Sequence, residues 1–280
     1  MTTMLAPASS TAVEASLRST LLAGTRPHRP SALSASLTFG WRALLKIKYM
    51  PEQMADIIAI PIIFTLLFTY LFGGALAGST GAYLQFLLPG TLVMTVLLVT
   101  MYTGIGLNSD FTSGVFDRFR SMSIWRPAPI FGSLLGDVAR YVLASSLVIA
   151  LGLVLGFRPA GGVAGVLLAV ALVLVFAFSL SWIWTALGLV VRSPNAVTSI
   201  GTVILFPLTL ASNVFVEPKT MPGWLQAFVN INPASHLVIA VRGLMHGTAT
   251  AGQVSWVLVA SAVVTAIFFP LTMYLYSNKR

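Results

Sequence analysis

The chain has 280 residues, 57% of them hydrophobic and only 8% charged, where a soluble domain carries roughly 25% charged residues. That surplus of apolar side chains excludes a water-soluble globular protein, and the absence of cysteine excludes a disulfide framework, a thiolate metal site and a Cys nucleophile. The formal charge of +9 sits mostly in the gaps between apolar stretches, where it reads as a topology signal and not as a nucleic-acid footprint.

Residues 1 to 32 are rich in Ala, Ser, Thr, Pro and Arg, with Glu14 as the one acid and no continuous apolar core of the kind a signal peptide needs. They predict a disordered tail; an organelle transit peptide has a similar composition, but twelve Arg against four Lys and an Ala/Val/Leu bias suggest a GC-rich bacterial gene. Residues 33 to 50 place Leu33, Leu37, Trp41, Leu44 and Leu45 at helical spacing, with Arg42, Lys46 and Lys48 on other faces. A helix lying on the membrane surface has this pattern, and so does a basic flank to the first span.

Residues 51 to 280 form the predicted membrane domain. No Asp, Glu, Lys or Arg occurs between Asp56 and Asp110, nor in residues 141 to 157, 159 to 191, 193 to 216 and 243 to 278. A helix crosses hydrocarbon in about 20 residues, so these runs predict six spans, near 55 to 72, 84 to 107, 131 to 156, 163 to 190, 196 to 216 and 254 to 276. Pro61 and Pro89 mark bends, tolerable where neighbouring helices or water satisfy the freed carbonyls. The polar stretch 108 to 130 must leave the hydrocarbon. Residues 217 to 250, divided by Pro218, Pro222 and Pro233, predict a re-entrant or surface-lying helical pair at 224 to 229 and 235 to 245. Six spans put both termini on one side. Assigning the tail, the 108 to 130 loop, the 191 to 195 turn and the C-terminus to the cytoplasm collects twelve of the sixteen Lys and Arg, which favours a cytoplasmic N-terminus.

Chemistry-bearing motifs are scarce. The chain has no G-x-x-x-x-G-K-[ST] loop to cradle phosphates and no metal-ligand cluster, and His28, His236 and His246 stand apart, so it is not expected to hydrolyse ATP. Ion-coupled carriers keep ionisable groups in mid-span; only Asp137 and Arg140 qualify, three residues apart on one face, and they read as a structural pair or as a proton or substrate contact. Energy is then expected from a second polypeptide docking on the cytoplasmic face. In the 110 to 124 loop, Val115, Phe116 and Phe119 form an apolar stripe beside Asp117, Arg118 and Arg120, fit either to insert into a partner's groove or to remain a solvated loop. Gly132-x-x-x-Gly136 and Gly152-x-x-x-Gly156 have the spacing of helix-packing motifs.

At this loop the chain resembles the permease subunits of ABC-2 type exporters, particularly the daunorubicin/doxorubicin resistance group of actinobacteria. Asp110, Gly114, Arg118 to Met122 and Ile124 match that group's D-x-x-x-G-x-x-x-R-F-R-S-M-P-I, with Ser123 in place of the proline. Asn232, Pro233, Arg242, Leu244 and Gly247 resemble its N-P-x(8)-R-x-L-x-x-G segment. The resemblance spans about residues 35 to 276. It implies an all-α membrane protein of six spans with an interfacial amphipathic helix and a helical re-entry before the last span. It also implies two permeases, a pair of copies or this chain with a related one, on two cytoplasmic ATPase subunits that hold the ATP and Mg, with residues 110 to 124 as the coupling element. The expected activity is export of amphipathic or lipophilic compounds. Phe64, Phe68, Tyr70, Met94, Met101, Tyr102, Phe206 and Asn213 are candidate pathway residues, although packing or lipid contact explains such side chains equally well. Export of a lipid-linked polysaccharide or teichoic-type polymer is the alternative, and an ion-coupled carrier is a third reading.

Overall fold

The computed structural model describes residues 31–48, 51–116 and 127–278, together with Glu14 and Ser19; the rest of the predicted tail, outside Glu14, Ser19, Ser31 and Ala32, lies beyond the described residues. Those residues form helices and turns, with no strand among them. Helix α1 is Ala32–Lys48, α2 Pro51–Ala77, α3 Thr80–Thr112, α4 Ala128–Val154, α5 Gly162–Val190, α6 Pro194–Leu210, α7 Gly223–Ile231, α8 Pro233–His246 and α9 Ala251–Asn278. Five of them, α2, α3, α4, α5 and α9, are long and apolar enough to cross a bilayer.

Helix α3 is the central post, touching α2, α4, α5, α6 and α8. Apolar side chains gain little from leaving lipid for another helix, so close packing of small residues must hold such a bundle together. At the crossing of α3 and α5, a Cβ added to Gly104 would lie 2.6 Å from the Trp184 carbonyl oxygen, and one added to Gly188 would lie 2.6 Å from the Gly104 carbonyl oxygen. Two glycines therefore set that backbone contact. Gly132 and Gly136 of α4 play the same part toward α1, where an added Cβ would run into Phe39 and Ala43. The second small-residue spacing behaves differently: Gly152 packs on Leu88, but Gly156 has φ +98° and a Cβ added there would meet nothing within 4 Å, so it ends α4 in a left-handed turn.

Lone polar residues supply the remaining ties. Trp184 Nε1 donates to Thr100 Oγ1 at 2.8 Å. The Tyr141 hydroxyl lies 3.0 Å from that of Thr103 and 2.6 Å from that of Ser181, which links α3, α4 and α5. Helix α3 runs on through Asn108 to Thr112. Asn108 is fully buried and its Nδ2 donates to the carbonyls of Gly188 and Val191 at 2.9 and 2.6 Å, absorbing orphan acceptors at the end of α5.

Two other boundaries differ from expectation. Helix α2 continues past the predicted stop at 72 through Gly73 and Gly74 to Ala77; Gly73 lets the start of α3 come close, an added Cβ falling 2.9 Å from Thr80 Cα. Helix α6 stops at Leu210 instead of running to 216, with Pro207 in its last turn. At 17 residues it is about 26 Å long against about 30 Å of hydrocarbon.

Candidate functional site

The candidate coupling segment begins in the last turn of α3. Asp110 lies 3.9 Å from the Arg42 guanidinium of α1. Ser113 caps α3, its backbone N–H donating to Ser109, and Gly114 takes φ +71°, a left-handed turn that glycine adopts without strain. This turn folds Phe116 back onto Phe111, ring on ring, with centroids 3.8 Å apart and planes 2° from parallel. Tyr276, near the end of α9, stands edge-on to both rings at 6.2 and 6.0 Å. Phe116 is 3% exposed: of the stripe expected either to meet a partner's groove or to remain solvated, this ring faces the chain's own α3 and α9, where an intramolecular aromatic cluster buries it. Asp117, Arg118, Phe119 and Arg120 lie outside the described residues.

Beside this segment is a cavity of about 50 Å³, lined by Phe39 and Arg42 of α1, Tyr102 and Asp110 of α3 and Asp137 and Arg140 of α4, among others. Asp137 and Arg140 are 6% and 8% exposed and form an ion pair at 2.7 Å, and the Arg140 guanidinium lies 5.8 Å from the centre of the Tyr102 ring. The Tyr102 hydroxyl donates to Asp56 Oδ2 at 2.7 Å. Each charge drawn into the bundle thus meets a partner, as a low-dielectric site requires.

At the other end of the bundle, Phe64, Phe68 and Phe72 follow one another along α2, with successive ring centroids 5.9 and 5.3 Å apart. Phe215 closes on Phe68 at 4.2 Å and on Phe64 at 6.0 Å. The other six pathway candidates do not gather around this row. Tyr70 is 65% and Phe206 46% exposed on outward faces, and Met94 is sealed in the core. Met101 packs on Gly201, Tyr102 serves the polar cavity, and buried Asn213 gives its backbone carbonyl to Arg242. Within one chain the eight residues have different surroundings, because helical spacing fixes a residue's face but not which neighbour covers it.

The segment before α9 is held by its motif residues. Asn232 caps α8, its Oδ1 accepting from the Ala234 N–H at 2.9 Å, while its Nδ2 donates to the carbonyls of Leu208 and Ala211 at 2.8 and 3.1 Å where α6 ends. Pro233 occupies the first helical position, where its missing N–H is harmless. Arg242 donates from Nε to the Phe86 carbonyl at 3.1 Å and from an Nη to the Asn213 carbonyl at 3.0 Å. Burial pulls its guanidinium down to about 10, against the pull of Glu217 and Tyr83, so it keeps its charge at neutral pH. Gly247 ends α8 at φ +73°.

A family model for the ABC-2 type transporter matches residues 35–246, most of the chain, including the 110 to 124 segment and the second motif as far as His246. The chain belongs to the ABC-2 type transporter family. It is 53% identical over 271 residues, 97% of this chain and 96% of the relative, to the daunorubicin resistance ABC transporter permease protein of Streptomyces coeruleorubidus. It is 28% identical over 207 residues to the doxorubicin resistance ABC transporter permease protein of Mycobacterium tuberculosis H37Rv, covering 74% of this chain and 72% of that one. The inner membrane transport permease YadH of Escherichia coli K12 is 28% identical over 192 residues, 65% of this chain and 72% of the relative.

Within this ABC-2 fold, several residues the sequence did not single out prove structural. Gln85 donates to the Gly156 carbonyl at 3.2 Å, accepts from the Arg158 N–H at 3.1 Å, and offers its own carbonyl to His246 at 3.0 Å. Tyr83 donates to the Phe215 carbonyl at 2.8 Å and so steadies the aromatic row. A usable signal existed: a solitary Gln or Asn in an apolar run has to find a partner.

Proposed function

We propose that this chain is the membrane permease of an ATP-driven exporter of amphipathic, lipophilic compounds, drugs, antibiotics or lipids among them. In this reading it pairs with a second copy or a related permease and stands on two cytoplasmic ATPase subunits, which hold the ATP and Mg. Membership of the ABC-2 family and the drug-resistance names of the relatives support the class. The cargo chemistry rests on the row of Phe64, Phe68, Phe72 and Phe215. A lipid-linked polysaccharide would also use an aromatic row, but sugar recognition needs hydrogen-bonding groups beside the rings. The hydroxyls nearest in sequence, on Thr65 and Thr69, are buried at 0% and 3% exposure, and an apolar row suits lipophilic cargo better. The close Asp137–Arg140 pair suits a neutralised structural contact more than the relay an ion-coupled carrier would need.

The topology that goes with this reading has six crossings and both termini in the cytoplasm. The crossing added to the five long helices is α6 with residues 211 to 216, and Asn232 Nδ2 donates to its freed carbonyls at Leu208 and Ala211. Helices α7 and α8 form the re-entrant pair on the outer side. Helix α1 lies at the inner interface: Leu33, Leu37, Trp41 and Leu45 are exposed while Phe39 and Ala43 turn to α4, so the apolar stripe is available to lipid.

Vesicles containing the permease with a co-expressed ABC ATPase are expected to accumulate a planar aromatic amine dye only when ATP is supplied on the ATPase side. Dye movement by the permease alone, driven by a proton gradient without nucleotide, would refute the reading. Docking is tested with Arg118→Glu, Phe119→Asp and Arg120→Glu, which should release the ATPase while the permease stays folded in the membrane.

A further inference from the structure

Helix α9 is the most peripheral of the five long helices, with Val257, Ser261 and Thr272 as its buried positions, yet its two ends touch the two segments that a transport cycle must move relative to each other. At one end Tyr276 closes the Phe111–Phe116 stack that starts the coupling segment. At the other end Trp256 stacks on His236 of α8, with centroids 4.0 Å apart and planes 29° from parallel. His236 in turn donates from Nε2 to the Asn230 carbonyl, the last turn of α7, at 2.8 Å. One imidazole therefore joins α7, α8 and α9. The junction between α8 and α9 is also short and fixed, the N–H groups of Thr248 and Ala249 both donating to the Gly243 carbonyl at 2.8 and 3.1 Å.

We infer that α9 is a transmission rod, with Tyr276 as its input contact and the Trp256–His236 stack as its output contact on the outer helix pair. The inference rests on the exporter reading above. Helix α9 has 28 residues and is about 42 Å long at about 1.5 Å per residue, so it reaches from one face of a bilayer to the other. Thr272 donates to the Trp182 carbonyl at 3.3 Å, which gives it a point of purchase on α5 near the input end. Displacement of residues 110 to 116 by a docked ATPase moves the Phe111 and Phe116 rings, and stacked rings at van der Waals contact cannot shift without taking Tyr276 with them. An axial or tilting movement of α9 then reaches His236, and through Asn230 it reaches α7. Helix α7 is free to respond: Trp224, Phe228 and Ile231 are exposed, and within the chain it packs on α8 and the turn before it. Rigid helices moving as units are a common means of carrying such a signal. Spatial continuity alone does not prove coupling, so the test must read coupling itself.

The chain contains no cysteine, so Ala227→Cys on the exposed side of α7 gives one labelling site. In the permease–ATPase complex, its rate of reaction with a membrane-impermeant maleimide is expected to change about threefold or more when a non-hydrolysable ATP analogue is added. Adding Tyr276→Ala or Trp256→Ala should abolish that change while the ATPase still copurifies, and Tyr276→Phe, which keeps the edge-on ring, should restore it. A full nucleotide response in Tyr276→Ala, or no response in the Ala227→Cys parent, overturns the rod. Loss of copurification in Tyr276→Ala would also overturn it, by making Tyr276 part of the docking surface. A parent that captures no ATPase removes the exporter reading, and the rod falls with it.

Discussion

Arg242 lays its guanidinium 3.8 Å from the centre of the Phe86 ring and donates from Nε to the carbonyl of the same residue. Its second donor reaches Asn213, so one side chain fastens α8 to α3 and to the end of the α6 segment. Lysine carries the charge but lacks the planar face and the fork of donors. Arg242→Lys is therefore expected to lower the unfolding midpoint in detergent nearly as far as Arg242→Ala. Two lost charge-assisted hydrogen bonds correspond to about 1.5–3 kcal/mol each at most, and membrane interiors return less than that. A Lys variant as stable as the parent would show that charge alone matters here.

Asn232 works as cap and clasp at once, and two substitutions separate the roles. Asn232→Asp keeps an oxygen for the Ala234 N–H but loses the Nδ2 donors and sets a carboxylate against the carbonyls of Leu208 and Ala211. Asn232→Ala loses both functions, the cap alone contributing about 0.5–2 kcal/mol. Thermal unfolding should find Asp no better than Ala. Recovery of parental stability by Asp would mean that the cap dominates and the link to α6 contributes nothing.

The crossing of α3 and α5 makes a sharper prediction. Gly104→Ala and Gly188→Ala each place a methyl group 2.6 Å from a backbone carbonyl oxygen, which no rotamer change relieves, and overpacking of this kind costs about 1–3 kcal/mol. Gly106→Ala, two residues on from Gly104 and on another face of α3, with nothing within 4 Å of its added Cβ, should be neutral or slightly stabilising through helix propensity. Comparison of the three by temperature-dependent aggregation of detergent-purified protein decides the matter. Equal behaviour would mean that the helices separate freely.

Much of this architecture could be read from the residues, and what escaped has a physical reason. The absence of charge over residues 57 to 109 demanded lipid and helices, since hydrocarbon tolerates no unpaired backbone, and the three prolines between 217 and 250 divided that segment as the structure does. The reach of α6 could not be read that way: its last carbonyls are satisfied by Asn232, distant in sequence, and no local pattern reports such a bond. Phe116 escaped for the same reason. An apolar stripe at helical spacing must be buried, but spacing does not say whether a partner or Tyr276 buries it. Residue type points to the pathway candidates, whereas Phe72 and Phe215, which complete the aromatic row, stand out only by position.

That row yields the prediction closest to function. If lipophilic cargo passes along Phe64, Phe68, Phe72 and Phe215, the ring of Phe68 matters most, because it contacts each of the other three. Truncating it removes both a stacking surface and packing on the segment that Tyr83 holds. Phe68→Ala is expected to cut ATP-dependent dye accumulation about tenfold, with the drop larger for a planar polycyclic dye than for a flexible aliphatic amine, since aromatic stacking contributes about 0.5–1.5 kcal/mol beyond simple burial. Phe68→Leu should preserve fold and aliphatic transport while the planar dye still suffers. Tyr70→Ala, on the exposed face, should change neither cargo within the chain itself. Equal losses for both dyes in Phe68→Leu would assign the row to packing and leave cargo selection to another part of the permease.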